Sequence, residues 1–240
     1  DVKISSEETL DLANATVQST AGKVELDGLA GIVAKDATLL AAKEVTVEAN
    51  ENIEVSNSTV KAASLAITAA QNLTGTGLEG TITGAAELTA GENLVLDSAD
   101  LSGGTVSAVA AQGLSARGAA LNATKGTLTL KAEAADIDAS GATLTAKDEV
   151  KLTAKQSITA TEASVEADSL TMTADTGSVG ATGFTATVAD QVSVVAGDTV
   201  VLDNAELAAG ALTATASLGD LSVKDAVITA TKDGVTLTAE

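Results

Sequence analysis

Leu94-Val95-Leu96-Asp97-Ser98-Ala99-Asp100-Leu101 places an aliphatic residue first, a small or aliphatic one at +2, a small one at +5 and an aliphatic one at +7. The same frame restarts at Leu10, Ile32, Ile53, Leu73, Leu94, Leu114, Ile137, Ile158, Val179, Val200 and Leu221. These eleven starts lie 20 to 23 residues apart, most often 21. A second aliphatic column follows at Val17, Leu39, Val60, Ile82, Leu101, Leu121, Leu144, Val165, Val188, Leu207 and Ile228. A fixed period of this length marks a stacked repeat in which each unit buries its apolar face only against its neighbours.

A third segment in each unit alternates apolar and polar residues with the period of a half-buried strand, as in Val24-Glu25-Leu26, Val45-Thr46-Val47, Leu128-Thr129-Leu130, Val150-Lys151-Leu152 and Val235-Thr236-Leu237. Turn formers such as Gly91-Glu92-Asn93, Thr176-Gly177-Ser178 and Gly219-Asp220 separate the segments and are expected to supply positive φ at the corners. Three short strands and three corners in about 21 residues describe one turn of a parallel β-helix. The expectation is therefore an all-β, three-sided β-solenoid of about eleven turns over residues 1–240, right-handed by the crossover rule. Ala richness favours helix by propensity, but the aliphatic positions recur at +2 and not at +3 and +4, and Thr and Val are dense. Small residues at +5 (Ala15, Ala37, Ser58, Ala99, Ala119, Ala142, Ala163, Ala205, Ala226) instead let the chain turn tightly inside a narrow core.

A longer period lies over the first. Ile32–Leu39 resembles Ile137–Leu144, and Leu94–Leu101 resembles Val200–Leu207, at an offset of 105 to 106 residues or five turns. The copies span 10–113 and 114–220, with partial copies at 1–9 and 221–240. Two turns, Leu73 to Ile82 and Val179 to Val188, read as widened by two extra residues, with Leu78 and the single Phe, Phe184, as plugs. The chain starts and stops in the third strand, so a longer rod or end-to-end joining of copies is expected.

Composition narrows the functions. No His and no Cys means no zinc, haem or iron–sulfur ligand set, no nucleophilic thiol and no imidazole relay. A formal charge of -20 repels phosphate backbones and anionic membranes, and no Trp or Tyr offers a stacking platform, so neither nucleic acid nor membrane insertion is expected. With 45% apolar residues and a mean hydropathy of +0.27 the chain is nonetheless not a disordered acidic tail. No run is long enough to form a membrane-spanning helix, and no basic, then apolar leader opens the chain at Asp1-Val2-Lys3-Ile4.

Side-chain chemistry is sparse. The carboxylate pairs Glu7 with Glu8 and Asp148 with Glu149 suit acid/base work only if a substrate site surrounds them; Arg117 is the sole Arg, and solvated corners explain them more simply. Acidic corners at Asp36, Glu92, Asp148, Asp198, Asp220 and Asp233 suit weak Ca2+ binding or, more simply, diffuse screening by cations. An outward column of Glu25, Thr46, Ala66, Thr89, Ser107, Thr129, Lys151, Thr171, Ser193, Thr213 and Thr236 resembles the Thr ranks of ice-binding solenoids only in part. Thr-x-Thr occurs there at Thr171 with Thr173, Thr213 with Thr215, and Thr236 with Thr238. No catalytic, cofactor or dedicated metal residue is assigned.

The cadence of Gly91-Glu92-Asn93-Leu94-Val95-Leu96, Ala146-Lys147-Asp148-Glu149-Val150-Lys151-Leu152-Thr153-Ala154 and Lys232-Asp233-Gly234-Val235-Thr236-Leu237-Thr238-Ala239 resembles the haemagglutinin repeats of filamentous-haemagglutinin-type exoproteins. That resemblance implies a right-handed β-helical shaft of a large bacterial adhesin, secreted by a two-partner pathway and non-catalytic. The secretion-directing N-terminal domain of that family is not present in this sequence. The alternative expectation is a self-assembling extracellular filament subunit; an ice-binding solenoid and a polysaccharide-active β-helix are minor ones.

Overall fold

The computed structural model describes residues 1–240 and contains thirty-two strands and no helix. Every strand pairing is parallel, and each strand pairs with its equivalent about 21 residues away, giving three ladders. The first ladder has eleven two-residue strands, from Leu10–Asp11 and Ile32–Val33 to Val200–Val201 and Leu221–Ser222. The second starts with Thr16–Ser19 and Thr38–Ala41. The third starts with Val2–Ser6, Val24–Gly28 and Glu44–Ala49. In the last two turns the second and third strands fuse into Glu206–Ala216 and Val227–Ala239. Eleven turns at the inter-strand spacing of about 4.8 Å make a rod roughly 50 Å long. The β-solenoid of eleven turns read from the sequence is the fold observed.

One apolar column fills the rod, a continuous cluster of 71 buried residues. In the turn from Leu94, the inward residues are Leu94, Leu96, Ala99, Leu101, Gly103, Val106, Ala108 and Ala110, all buried. In the final turn Val235 and Leu237 are 44% and 41% exposed, because no further turn covers them.

The sharpest corner lies between the first and second ladders. The residue at +4 has φ between 52° and 66° in all eleven turns: Asn14, Asp36, Asn57, Gly77, Ser98, Gly118, Gly141, Glu162, Gly183, Asn204 and Asp225. Gly, Asn and Asp tolerate this left-handed region and fill nine of these positions, with Ser98 and Glu162 as the exceptions. The corner is closed by the +5 N–H donating to the +2 carbonyl, as Ala99 to Leu96 at 3.0 Å. It also stacks as a ladder of its own, the +4 N–H donating to the +3 carbonyl of the next turn, as Ser98 to Arg117 at 2.8 Å. Positive φ was expected instead around Gly91, Gly177 and Gly219, and none of these glycines adopts it. They allow close approach: a Cβ on Gly91 would lie 2.0 Å from the Ala70 carbonyl oxygen.

The two supposedly widened turns have the ordinary length. Gly80, not Ile82, pairs with Val60 and Leu101, and Ala186, not Val188, pairs with Val165 and Leu207. Ile82 and Val188 occupy the next inward position, opposite Ala62 and Ala167. What changes in these turns is how volume is shared. The bulky residue moves to +5, as fully buried Leu78 and Phe184, and the +7 position shrinks to Gly80 and Ala186 to make room. An aliphatic residue at +9 is indistinguishable in the sequence from one at +7 until register is known.

Candidate functional site

The solvent face has three corner edges and three flat ladder faces, and the residues with chemical potential are spread along them. Of the acidic corner residues, Asp36 stands on the first corner, Asp148 and Asp233 on the second, and Glu92, Asp198 and Asp220 on the third. They do not converge, and no group of three or more carboxylates forms a cage for a metal ion. Glu7 and Glu8 lie exposed where the first third-ladder strand leads into Leu10. Asp148 and Glu149 are adjacent at the second corner, and Glu149 accepts a hydrogen bond from the Thr171 hydroxyl of the next turn at 2.7 Å.

The outward column of the third ladder contains Glu87 where Thr89 was expected: Glu87 pairs with Ala66 and Ser107, while Thr89 pairs with Thr68 and Val109. The charged Glu25, Glu87 and Lys151 thus interrupt the rank of hydroxyls. Lys3 reaches Glu25, and Lys23 reaches Glu44 at 2.5 Å, each one turn away, and the carboxylate raises the lysine pKa by hydrogen bonding and charge. These are exposed axial links between rungs, each of small energetic value.

A more developed cluster occupies the first ladder face. Asp97 accepts hydrogen bonds from the Ser115 hydroxyl at 2.5 Å, the Arg117 amide at 3.0 Å and the Arg117 guanidinium at 2.8 Å. Partial burial pushes the Asp97 carboxyl up, but the bonds from Ser115 and Arg117 outweigh it and hold the group below its ordinary value. Asp138 lies 3.8 Å from the same guanidinium. Five turns on, Asp203 takes the Ser222 hydroxyl at 2.5 Å and the Lys224 amide at 2.8 Å, and those two bonds lower its pKa in turn. Arg117 is therefore committed to clamping adjacent turns.

Along the third corner a side-chain ladder runs parallel to the backbone ladders. The Asn72 amide nitrogen donates to Asn52 Oδ1 at 3.0 Å and to Glu92 at 3.0 Å, and Asn93 Nδ2 donates to Asn72 Oδ1 at 3.1 Å. Each Asn oxygen also caps the backbone N–H of the next turn, ending at Gly113. Asp136, Ser157 and Ser178 do the same farther along. Of these residues the sequence reading singled out only Glu92, Asn93 and Ser178, as turn formers; recurrence at 20 to 21 residues was the available signal for the rest.

The second corner is concave. Between Ala120–Ala123 and Thr185–Val188 it forms an open trough of about 570 Å³, floored by Ala123, Ala146, Ala167 and Val188 and edged by Asn122, Thr145, Lys147, Glu166 and Asp168. It spans four turns, and the one side-chain hydroxyl bonded in its lining, that of Thr124, donates to the Gly103 carbonyl rather than to a carboxylate. Comparison with known protein families, curated proteins and solved structures yields no match for this chain.

Proposed function

We propose that this chain is a structural shaft segment of a large secreted or surface-anchored bacterial adhesin or fibre, of the filamentous-haemagglutinin type, and that it catalyses nothing. The observation supporting this is continuity: three parallel ladders and one 71-residue core run without interruption through every turn. Polar side chains link successive turns at Asp97 and along the Asn52–Asn93 ladder. Stability in such a rod grows nearly additively with turn number, and length is the property a stalk delivers. The charge of -20 keeps neighbouring rods apart and discourages lateral pairing.

The test is to delete residues 32–136, five turns, in the polypeptide that carries the segment on the cell surface. The shaft reading expects a folded rod shorter by about 24 Å, a correspondingly reduced projection from the cell, and retained adhesion. Loss of adhesion with correct folding and display sinks it in favour of a receptor site on the rod itself.

The second reading is a filament subunit, motivated by the half-exposed Val235 and Leu237 and the unpaired strand edges of the last turn. In the shaft reading further turns of a longer chain cover them; in this one a second copy does. Sedimentation velocity of the isolated chain over a wide concentration range separates the two, since stacking lengthens the particle with concentration.

A further inference from the structure

Four Asn-x-Thr triplets occur in the chain: Asn14-Ala15-Thr16, Asn57-Ser58-Thr59, Asn72-Leu73-Thr74 and Asn122-Ala123-Thr124. A triplet of this kind is an acceptor for N-linked sugar when both of its polar groups are available: the amide nitrogen that takes the sugar, and the hydroxyl that the transferase recognises.

The fold divides the four sharply. Asn72 is half-buried, and its amide nitrogen is bonded to both Asn52 and Glu92 inside the Asn ladder. Asn122 is exposed, but the Thr124 hydroxyl donates to the Gly103 carbonyl at 2.9 Å. Asn14 and Asn57 pass both conditions: each is exposed, as are Thr16 and Thr59, and none of the four side chains is hydrogen-bonded within the protein. Both asparagines occupy the +4 corner with positive φ, 59° and 53°, where the chain juts outward. The middle residue is on the inner side, buried at Ser58 and half-buried at Ala15, and the Thr opens the second ladder on the outer side, so amide and hydroxyl share one edge. The corner between them is Asp36-Ala37-Thr38, the same frame with a carboxylate that cannot be an acceptor.

We propose that Asn14 and Asn57 are N-glycosylation sites, placing two sugars on one edge of the rod about 10 Å apart, two rungs at about 4.8 Å each. The donor is a sugar activated as a nucleotide or polyprenyl diphosphate. Asn Nδ2 attacks the anomeric carbon, the N–C bond forms, the C–O bond to the diphosphate breaks with its electron pair, and the amide proton passes to a base of the transferase. This inference is independent of the shaft reading, since a rod of any role presents the same corner.

The test is peptide mass mapping of the protein purified from the cells that produce it, beside the variants Thr16→Val and Thr59→Val. These keep each corner Asn and the β-branched strand residue, and remove only the hydroxyl. The expected result is sugar mass on the Asn14 and Asn57 peptides, little or none on those of Asn72 and Asn122, and loss at one site only in each variant. Unmodified Asn14 and Asn57 overturn the proposal. So does occupancy at Asn72 equal to theirs, because the folded structure would then not select the sites.

Discussion

Exchange of volume between the +5 and +7 positions yields a quantitative prediction. Leu78 is fully buried, so Leu78→Ala removes three carbons from a packed interior and costs about 2–5 kcal/mol. Gly80→Val adds three carbons where a new Cβ would lie 2.1 Å from Leu101 Cδ1, and such overpacking costs about 1–3 kcal/mol. The double variant Leu78→Ala/Gly80→Val leaves the carbon count unchanged. It also recreates the arrangement of an ordinary turn, such as the one in which Ala163 precedes Val165. A volume-conserving swap of this kind costs under about 1.5 kcal/mol. Independent effects would instead sum to at least about 3 kcal/mol, so the cycle should show a favourable coupling of roughly 1.5 kcal/mol or more. Urea denaturation by far-UV circular dichroism measures the midpoints, with amide exchange of residues 73–101 as a local readout. Additivity within about 0.5 kcal/mol refutes the claim that these two positions share one space.

Three further outcomes are expected. Glu162, at φ 56°, pays for a left-handed backbone that Gly adopts freely, so Glu162→Gly should raise stability by about 1 kcal/mol, seen as a higher urea midpoint. Asp97 has a lowered pKa in the folded chain, so its contribution is present above the unfolded carboxylate value near about 3.9 and is lost as pH falls through the lower folded value. Asp97→Asn should therefore lower stability at neutral pH and flatten the acid limb of a midpoint-against-pH curve; an unchanged acid limb contradicts the clamp. Leu128→Asp puts a charge into a fully buried site and should open the adjoining turns to amide exchange, whereas Thr129→Asp, facing out beside Lys151, should shift the midpoint by less than about 0.5 kcal/mol.

The fold was legible because its period is carried by residues with one job. The first aliphatic column, Leu10 to Leu221, must face inward in every turn, and nothing else in the chain competes with it. The second column was misread at two places for a physical reason. Inward positions continue to +9, and Ile82 and Val188 there look the same as a +7 residue until strand pairing fixes Gly80 and Ala186. The turn formers picked out around Gly91, Gly177 and Gly219 lie on the third corner, whereas the left-handed position is +4 on the first, where Ser98 and Glu162 conceal it from a search for Gly and Asn. The Asn52–Asn72–Asn93 ladder was not seen, since its bonds run between residues about twenty positions apart and only stacking brings them together. The function left almost no such trace, because a rod is defined by what every turn repeats.

The first corner has the same length in every turn, while the distance from a start to the first inward residue of the third strand varies, from Ile53 to Leu65 and from Leu10 to Val24, by two residues. A single insertion within 94–103 would throw the inward side chains that follow it outward as far as the next bend, whereas the bends flanking the third ladder already absorb such changes. Those bends are the places where foreign loops can be spliced in at intervals set by the rung spacing. The molecule can thus serve as a molecular ruler, with its graduations on two edges and its rigidity guarded by the third.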